Sequence, residues 1–102
     1  MQENNNMAAL TEQQITEKLG AIRGWVYLDG KIQKTYSFSD FDKSMEYVNQ
    51  LAMVIKNLDH HPDIHIRFTK VTIASSTHVE DGITEKDFKL AKACDQLAVD
   101  MM

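Results

Sequence analysis

Asp29-Gly30 divides the β-prone stretch WVYLDGKIQKTYSF into two halves. In a two-residue type I′ turn both residues take a positive φ, and Asp-Gly is one of the pairs that tolerate this best. The stretch therefore predicts an antiparallel hairpin. Ile32, Tyr36 and Phe38 fall on one face of its second strand, which predicts that this face is buried.

A second region of strand follows Pro62. Its apolar residues first occupy alternate positions, as expected for a half-buried strand: Ile64, Ile66 and Phe68. Val71 and Ile73 then carry the apolar side with the opposite parity, so a turn or bulge is predicted near Thr69-Lys70. The region gives two strands or one bent strand.

Two helices are predicted from the same pattern at their first turns. Thr11 with Gln14, and Thr84 with Asp87, have the spacing of a capping box, in which the two residues satisfy backbone N–H groups reciprocally. The later helix also has apolar residues at helical spacing, which predict its buried face: Phe88, Ala91, Cys94, Ala98 and Met101.

A long middle helix is predicted over roughly residues 40–58, with Ser39 as its N-cap and Asp42 three residues on. Its buried face is predicted from apolar residues at helical spacing: Phe41, Met45, Val48, Ala52 and Ile55. Pro62 cannot continue a helix and disfavours helical geometry at His61, so the chain is expected to leave the helix there.

The predicted order is therefore helix, two strands, helix, two strands, helix. Such an order is typical of a two-layer α+β fold, with helices on one face of a sheet. A length of 102 residues fits one domain. The polar segment 1–8 is expected to be a disordered tail, and residues 9–102 the single domain.

Composition narrows the range of partners. A formal net charge of −4 argues against nucleic acid as a direct partner, because phosphate binding needs a basic surface. No apolar run is long enough to span a bilayer, so no membrane contact is expected. Cys94 is the single cysteine, which excludes an internal disulfide and fits a cytoplasmic location.

The stretch LDHHPD puts His60 and His61 at the predicted exit of the middle helix. A metal site is disfavoured, because adjacent residues of an extended chain point to opposite sides. Acid–base chemistry fits, since imidazole titrates at about pH 6.5, and His78 at a predicted loop tip is a natural third member. Exposed turn histidines without any chemistry are the remaining alternative.

Asp87 also has two interpretations. As the third residue of a helix, its carboxylate can simply cap the first turn, where the helix dipole favours negative charge. It can also orient a histidine or bind amino groups of a ligand. The two roles are compatible if only one carboxylate oxygen faces the backbone.

At this point the chain resembles the pterin-4a-carbinolamine dehydratase family. The family pattern is a charged residue, His-His-Pro, an aromatic, a His and an Asp at fixed spacings. In this chain, Lys56 precedes His60-His61-Pro62 by three spacers, Phe68 follows after five residues, His78 after nine more and Asp87 after eight more. Gly24-Trp25 and the hairpin extend the resemblance. The family often has an aromatic two residues after the proline, where this chain has Ile64.

The resemblance implies a fold and a reaction. The fold is a four-stranded antiparallel sheet with three helices packed on one face. The reaction is the dehydration of 4a-hydroxytetrahydrobiopterin, a 4a-carbinolamine, to the quinonoid dihydropterin in tetrahydropterin recycling. It requires neither a metal nor a redox cofactor.

The resemblance also implies the residues of the site. They are three catalytic histidines, His60, His61 and His78, and four binding or supporting residues, Asp59, Ser76, Thr77 and Asp87. His60 and His78 are expected to transfer protons, and His61 chiefly to bind substrate. Ser76 and Thr77 are expected to hydrogen-bond the pyrimidinone edge of the pterin.

Partners follow from the same resemblance. The family forms homodimers and homotetramers, and an enzyme that recycles tetrahydropterin is linked in function to an aromatic amino acid hydroxylase. The alternative is a protein that keeps the fold but acts as a non-enzymatic dimerisation or assembly cofactor, as some family members do.

Overall fold

The computed structural model describes residues 8–101. Their helices and strands run in the order α1 (Glu12–Leu19), β1 (Val26–Leu28), β2 (Lys31–Ser37), α2 (Phe41–Leu58), β3 (Asp63–Arg67), β4 (Lys70–Ser75) and α3 (Glu85–Met101), with a 3₁₀ turn at His78–Glu80 before α3. The predicted α+β order and the three helices on one face of an antiparallel sheet are confirmed. Apart from Ala8, the predicted tail lies outside the described residues.

The four strands form one antiparallel sheet in the order β1-β2-β4-β3. Asp29 and Gly30 have φ values of 53° and 77°, which are those of the predicted type I′ turn between β1 and β2. The second hairpin turns at Phe68, with φ 55°, one residue earlier than predicted. Phe68 therefore lies in the turn and is 71% exposed, instead of continuing the buried side of β3.

Helix α2 differs from the prediction at its start and in its orientation. Asp40, not Ser39, is the N-cap, because the Asp40 carboxylate accepts from the Lys43 N–H at 2.8 Å. Phe41 and Ala52, predicted to be buried, are exposed. Ile55 is buried as predicted, and Met45 and Val48 are half-buried. The other buried residues of α2 are Ser44, Tyr47 and Leu51.

The rotation of α2 has a physical cause in Tyr47. Its ring is fully buried against Tyr36 and Phe38 of the sheet, and its hydroxyl donates to the Cys94 carbonyl oxygen at 3.0 Å. A buried tyrosine that finds a hydrogen-bond partner contributes as much apolar burial as a phenylalanine. This burial and the hydrogen bond together orient α2 against both the sheet and α3.

The other two helices begin where the capping patterns predict, but only one half of the predicted box forms at α3, where the Thr84 hydroxyl accepts from the Lys86 N–H at 3.2 Å. The Thr11 side chain accepts from the Gln14 N–H and the Gln14 side chain from the Thr11 N–H, so the capping box of α1 is complete. At α3 the Asp87 carboxylate accepts from the Thr84 N–H at 2.9 Å. The predicted face of α3 is buried at Phe88, Ala91, Cys94 and Ala98.

Asp95 fastens α3 to the sheet. Its carboxylate accepts from the Trp25 indole N–H at 3.1 Å, the Lys34 ammonium at 2.8 Å and the Tyr36 hydroxyl at 2.5 Å. Burial, and then this hydrogen bond, raise the pKa of Tyr36 far above its ordinary range. Trp25 is thus a buried anchor of the sheet, 4% exposed. None of the helices in residues 8–101 is long and apolar enough to cross a membrane.

Candidate active site

The histidine pair leaves α2 through a left-handed residue. Asp59 is the C-cap, with φ 53° and ψ 44°, and its N–H donates to the Ile55 carbonyl at 2.8 Å. Aspartate is among the few non-glycine residues that adopt this geometry readily. The left-handed step and Pro62 two residues after His60 end the helix and carry the chain toward β3.

Asp87 is the centre of the polar network beside this exit. It is completely buried. Its Oδ1 lies 2.7 Å from His60 Nε2 and accepts from the Ser75 hydroxyl at 2.5 Å. Its Oδ2 accepts from the Thr77 hydroxyl at 2.7 Å and from the Thr84 N–H at 2.9 Å. Both interpretations of Asp87 are therefore seen together, because one oxygen caps α3 and the other holds a histidine.

His60 is held between α2 and α3. Only 11% of its side-chain surface is exposed. It lines a cavity of about 170 Å³ together with Leu58 of α2 and with Lys86 and Lys89 of α3. His60 is therefore neither a free turn residue nor fully shielded, and its ring can reach a small molecule on one side.

His78 lies beyond the end of β4, in the 3₁₀ turn, and is exposed. It lines a second cavity, of about 250 Å³, with Tyr27, Lys31, Ser76 and Asp81. The loop is closed by backbone hydrogen bonds between Thr77 and Gly82, at 2.7 and 3.3 Å. His78 is thus presented by a short, braced loop next to the β1–β2 hairpin.

Thr77 links the loop that carries His78 to Asp87, the residue that holds His60. It is part of the wall of the His78 cavity, yet it is only 3% exposed and its hydroxyl bonds to Asp87 and to the Thr84 hydroxyl. The same carboxylate that holds His60 is therefore bound to the segment that carries His78. In this way the fold links two histidines that are far apart in sequence.

The remaining predicted residues are less closely engaged. His61 and Asp59 are exposed, and neither lines the His60 cavity or the His78 cavity. Ser76 is half-buried and lines the His78 cavity. The predicted set is thus divided into His60 with Asp87, and His78 with Ser76. The three histidines do not surround one cavity.

Ser75 was missed by the sequence analysis. It follows Val71 and Ile73 on the same face of β4, and its side chain is 1% exposed. A polar residue at the inward parity of a strand must find a hydrogen-bond partner. That parity was the available signal for a buried acceptor nearby.

Metal ligation has no ready-made cluster here. Among residues 8–101, no three His, Cys, Asp or Glu side chains come together in a way that could hold a metal ion. Cys94 is fully buried in the core, and burial raises the pKa of its thiol to about 12.

The molecule is thus a two-layer α+β domain in which a buried aspartate contacts a histidine at the exit of α2. The profile of the family described as "Pterin 4 alpha carbinolamine dehydratase" matches residues 8–97. The chain belongs to this family.

Individual relatives agree with this assignment. A provisionally named pterin-4-alpha-carbinolamine dehydratase of Herpetosiphon aurantiacus is 45% identical over 91 residues, covering 89% of this chain and 95% of the relative. A crystal structure from Brucella melitensis, described as a transcriptional coactivator/pterin dehydratase, has a TM-score of 0.83 at 35% identity, covering 88% and 98% of the two chains.

A more distant structure has the same fold. It is a pterin dehydratase-like protein described as a RuBisCO assembly factor of the alpha-carboxysome. Its TM-score is 0.65 at 20% identity, covering 74% of this chain and 90% of its own.

Proposed function

We propose that the protein dehydrates a 4a-hydroxytetrahydropterin to the quinonoid dihydropterin and water. The observation that carries this proposal is the 2.7 Å contact between His60 and the buried Asp87 in a member of the dehydratase family. A buried carboxylate that contacts a largely buried imidazole at the wall of a cavity is a common way to orient a proton-transfer group.

The chemistry needs two proton transfers. The substrate has a hydroxyl and a ring nitrogen on one N–C–OH unit. A proton is added to the hydroxyl, the C–O bond breaks with its electrons leaving as water, and the nitrogen lone pair forms the new C=N bond. The N–H proton then goes to a base, so that atoms and charges balance. Imidazole groups can give and accept these protons near neutral pH.

The proposed roles of the individual residues are those that the family resemblance implies. His60 and His78 are the proposed proton-transfer groups, and His61 is proposed to help bind the pterin. Ser76 is proposed to hydrogen-bond the pyrimidinone edge. Thr77, whose hydroxyl is bonded to Asp87, would contribute through its support of that carboxylate. Asp59 would support the histidines from the helix exit.

Turnover tests the proposal directly. A 4a-carbinolamine produced in situ loses water slowly unaided, so the purified protein should accelerate the loss of its ultraviolet absorbance in proportion to protein concentration. A His60→Ala/His78→Ala double variant is the matched control. If the wild-type protein does not exceed the unaided rate, the dehydratase proposal is wrong; if the double variant accelerates the reaction as much as the wild type, the roles of His60 and His78 are wrong.

A second candidate is a binding function without chemistry. It is favoured by the Brucella relative, which is described as a coactivator as well as a dehydratase, and by the exposed apolar side chains on α2, with Phe41 46% and Met53 60% exposed. A non-enzymatic dimerisation or assembly cofactor should retain partner binding in the double histidine variant while showing no turnover in any form.

The cellular setting stays a prediction. If the protein recycles tetrahydropterin, it should work beside an aromatic amino acid hydroxylase in the cytoplasm. Adding it to a hydroxylase reaction should then sustain the rate when the carbinolamine would otherwise accumulate.

A further inference from the structure

We propose that Ser75 is a positioning residue that fixes which nitrogen of His60 transfers protons. With Thr77 and Thr84 it fills the remaining hydrogen-bond positions of Asp87, so that His60 must donate through Nε2 and react through Nδ1. This inference rests on the proposed dehydratase function, but its main test does not require turnover.

The hydroxyl groups of Thr77 and Thr84 each have a defined donor direction. The Thr77 hydroxyl has one proton, and it donates that proton to Asp87 Oδ2 at 2.7 Å. The 2.8 Å contact between the Thr77 and Thr84 hydroxyls therefore has Thr84 as the donor. The Thr84 oxygen in turn accepts from the Lys86 N–H at 3.2 Å. The hydroxyl protons of Thr84 and Thr77 are therefore both directed along this series of hydrogen bonds toward Asp87.

The hydrogen-bond partners of Asp87 indicate whether its carboxyl group carries a proton. Asp87 Oδ2 accepts from Thr77 and from the Thr84 N–H, and Oδ1 accepts from Ser75. These three donors favour the ionised carboxylate over the protonated acid, because hydrogen bonds donated to a charged group stabilise its charged form. The arrangement therefore fits a carboxylate that carries no proton of its own.

The contact with Asp87 assigns the tautomer of His60. The 2.7 Å contact joins His60 Nε2 to Asp87 Oδ1, and an acceptor-only oxygen requires that Nε2 carry the hydrogen. When His60 is neutral, its lone pair is then on Nδ1. Protons can enter and leave the ring only through Nδ1 while the Asp87 contact is kept.

Ser75 matters because it shares Oδ1 with His60. Its hydroxyl is 2.5 Å from that oxygen, and its side chain is 1% exposed on the inward face of β4. Without the hydroxyl, Oδ1 loses the donor that holds it in place, and the carboxylate can turn. The position and tautomer of His60 then become less strictly defined, although no group that touches the substrate has changed.

Nitrogen NMR of the substrate-free protein tests the tautomer. The ring nitrogens are labelled and the spectra are recorded at a pH high enough for the histidines to be neutral. His60 should then be a single Nε2–H tautomer. Its signals are assigned by their loss in the His60→Gln variant. The exposed His65 on β3 is the internal reference and should show a mixture of tautomers. A wild-type His60 that carries its hydrogen on Nδ1 would overturn the inference, whether or not the protein is a dehydratase.

Ser75 variants test the positioning role. Ser75→Ala should broaden or shift the downfield Nε2–H proton resonance of His60 and lower kcat by about 5- to 10-fold with little change in KM, as expected when a hydrogen bond to a charged group is lost. Ser75→Thr keeps the hydroxyl and should restore both. Thr72→Val is the matched control, because it removes a hydrogen-bonded hydroxyl of β4 from the other face of the sheet.

The results distinguish a failure of the positioning role of Ser75 from a failure of the dehydratase proposal. A Ser75→Ala protein with an unchanged His60 resonance and unchanged kcat contradicts the positioning role. If Ser75→Ala does not fold, the wild-type tautomer and the Ser75→Thr variant still decide. If none of the proteins turns over the carbinolamine but His60 is the Nε2–H tautomer and shifts in Ser75→Ala, the dehydratase proposal fails and the assignment of Ser75 stands.

Discussion

At the scale of single residues, the two oxygens of Asp87 divide their contacts between a helix and a histidine. Oδ2 caps α3 through the Thr84 N–H, and Oδ1 contacts His60 Nε2. The cap limits how the carboxylate can turn, and the Ser75 hydroxyl holds the other oxygen toward His60. His60 is thereby positioned by the start of a helix that lies 27 residues away in sequence.

The first prediction concerns the two proposed proton-transfer residues. His60→Ala and His78→Ala should each leave partial activity, because the carbinolamine loses water slowly unaided and one imidazole remains. The double variant should lose far more than either single variant, since each acid–base group is worth on the order of 10²–10⁴-fold in rate. Rates of carbinolamine loss for the four proteins give the comparison.

His65→Ala is the control for these variants, because His65 is an exposed histidine of β3 outside both cavities. It should keep wild-type turnover. Near wild-type turnover in the double His60/His78 variant would remove this mechanism, even if the protein still bound pterin.

The second prediction concerns His61. It is exposed after α2 and makes no contribution to the core. His61→Ala should therefore raise KM with little change in kcat, and it should change the free energy of unfolding by less than about 0.5 kcal/mol. Steady-state kinetics and a urea titration measure the two effects. A His61→Ala protein that unfolds, or that loses kcat alone, would show that this residue has a different role.

At the scale of elements, the residues at which the helices begin were easier to predict than the face that α2 buries. Capping patterns at Thr11 and Thr84 depend on neighbours within one turn, so the sequence contains the whole interaction. The buried face of α2 depends on what lies opposite it. Tyr47 is buried because its ring packs against Tyr36 and Phe38 and its hydroxyl finds the Cys94 carbonyl. The periodicity of apolar residues alone assigned Phe41 to the core.

The third prediction tests the β1–β2 turn. Gly30 has φ 77° and open space around it, so an added Cβ would meet no neighbouring atom. Gly30→Ala should still destabilise the protein by about 1 kcal/mol, because an L-residue with a side chain resists the left-handed region. Gly30→Asn should be tolerated better, since asparagine adopts this region more readily. Thermal unfolding of the three proteins measures the difference, and equal stability of Ala and Asn variants would contradict the strain argument.

At the scale of the whole molecule, the order of elements was predictable and the assembly of the site was only partly so. The order follows from local periods and turn residues. The contacts of His60 with Asp87 and of Ser75 with Asp87 join different elements, and the sequence gives no distance between them. The family pattern identified Thr77 and Asp87, but the contact of Ser75 with Asp87 became visible only in the folded structure.

The outer surface of the molecule carries several large apolar side chains. On α2, Phe41 is 46% and Met53 60% exposed; at the β3–β4 hairpin, Ile66 is 42% and Phe68 71% exposed. Strand β3 is also an edge of the sheet, with backbone groups open to pairing. Apolar patches and open edges of this kind are usually covered in solution by another molecule, and for small proteins the commonest cover is a second copy.

The fourth prediction is therefore self-association. At micromolar concentration the protein should sediment as a dimer or a tetramer, and Met53→Glu should shift it toward smaller species if the outer side of α2 is a contact, because a carboxylate placed in an apolar interface must lose its hydration. Val99→Glu is the matched control, since Val99 is a similarly exposed apolar residue of α3, 66% exposed. A wild-type protein that sediments only as a monomer would contradict the prediction. Dissociation by Met53→Glu and not by Val99→Glu would assign α2, and not α3, to the interface.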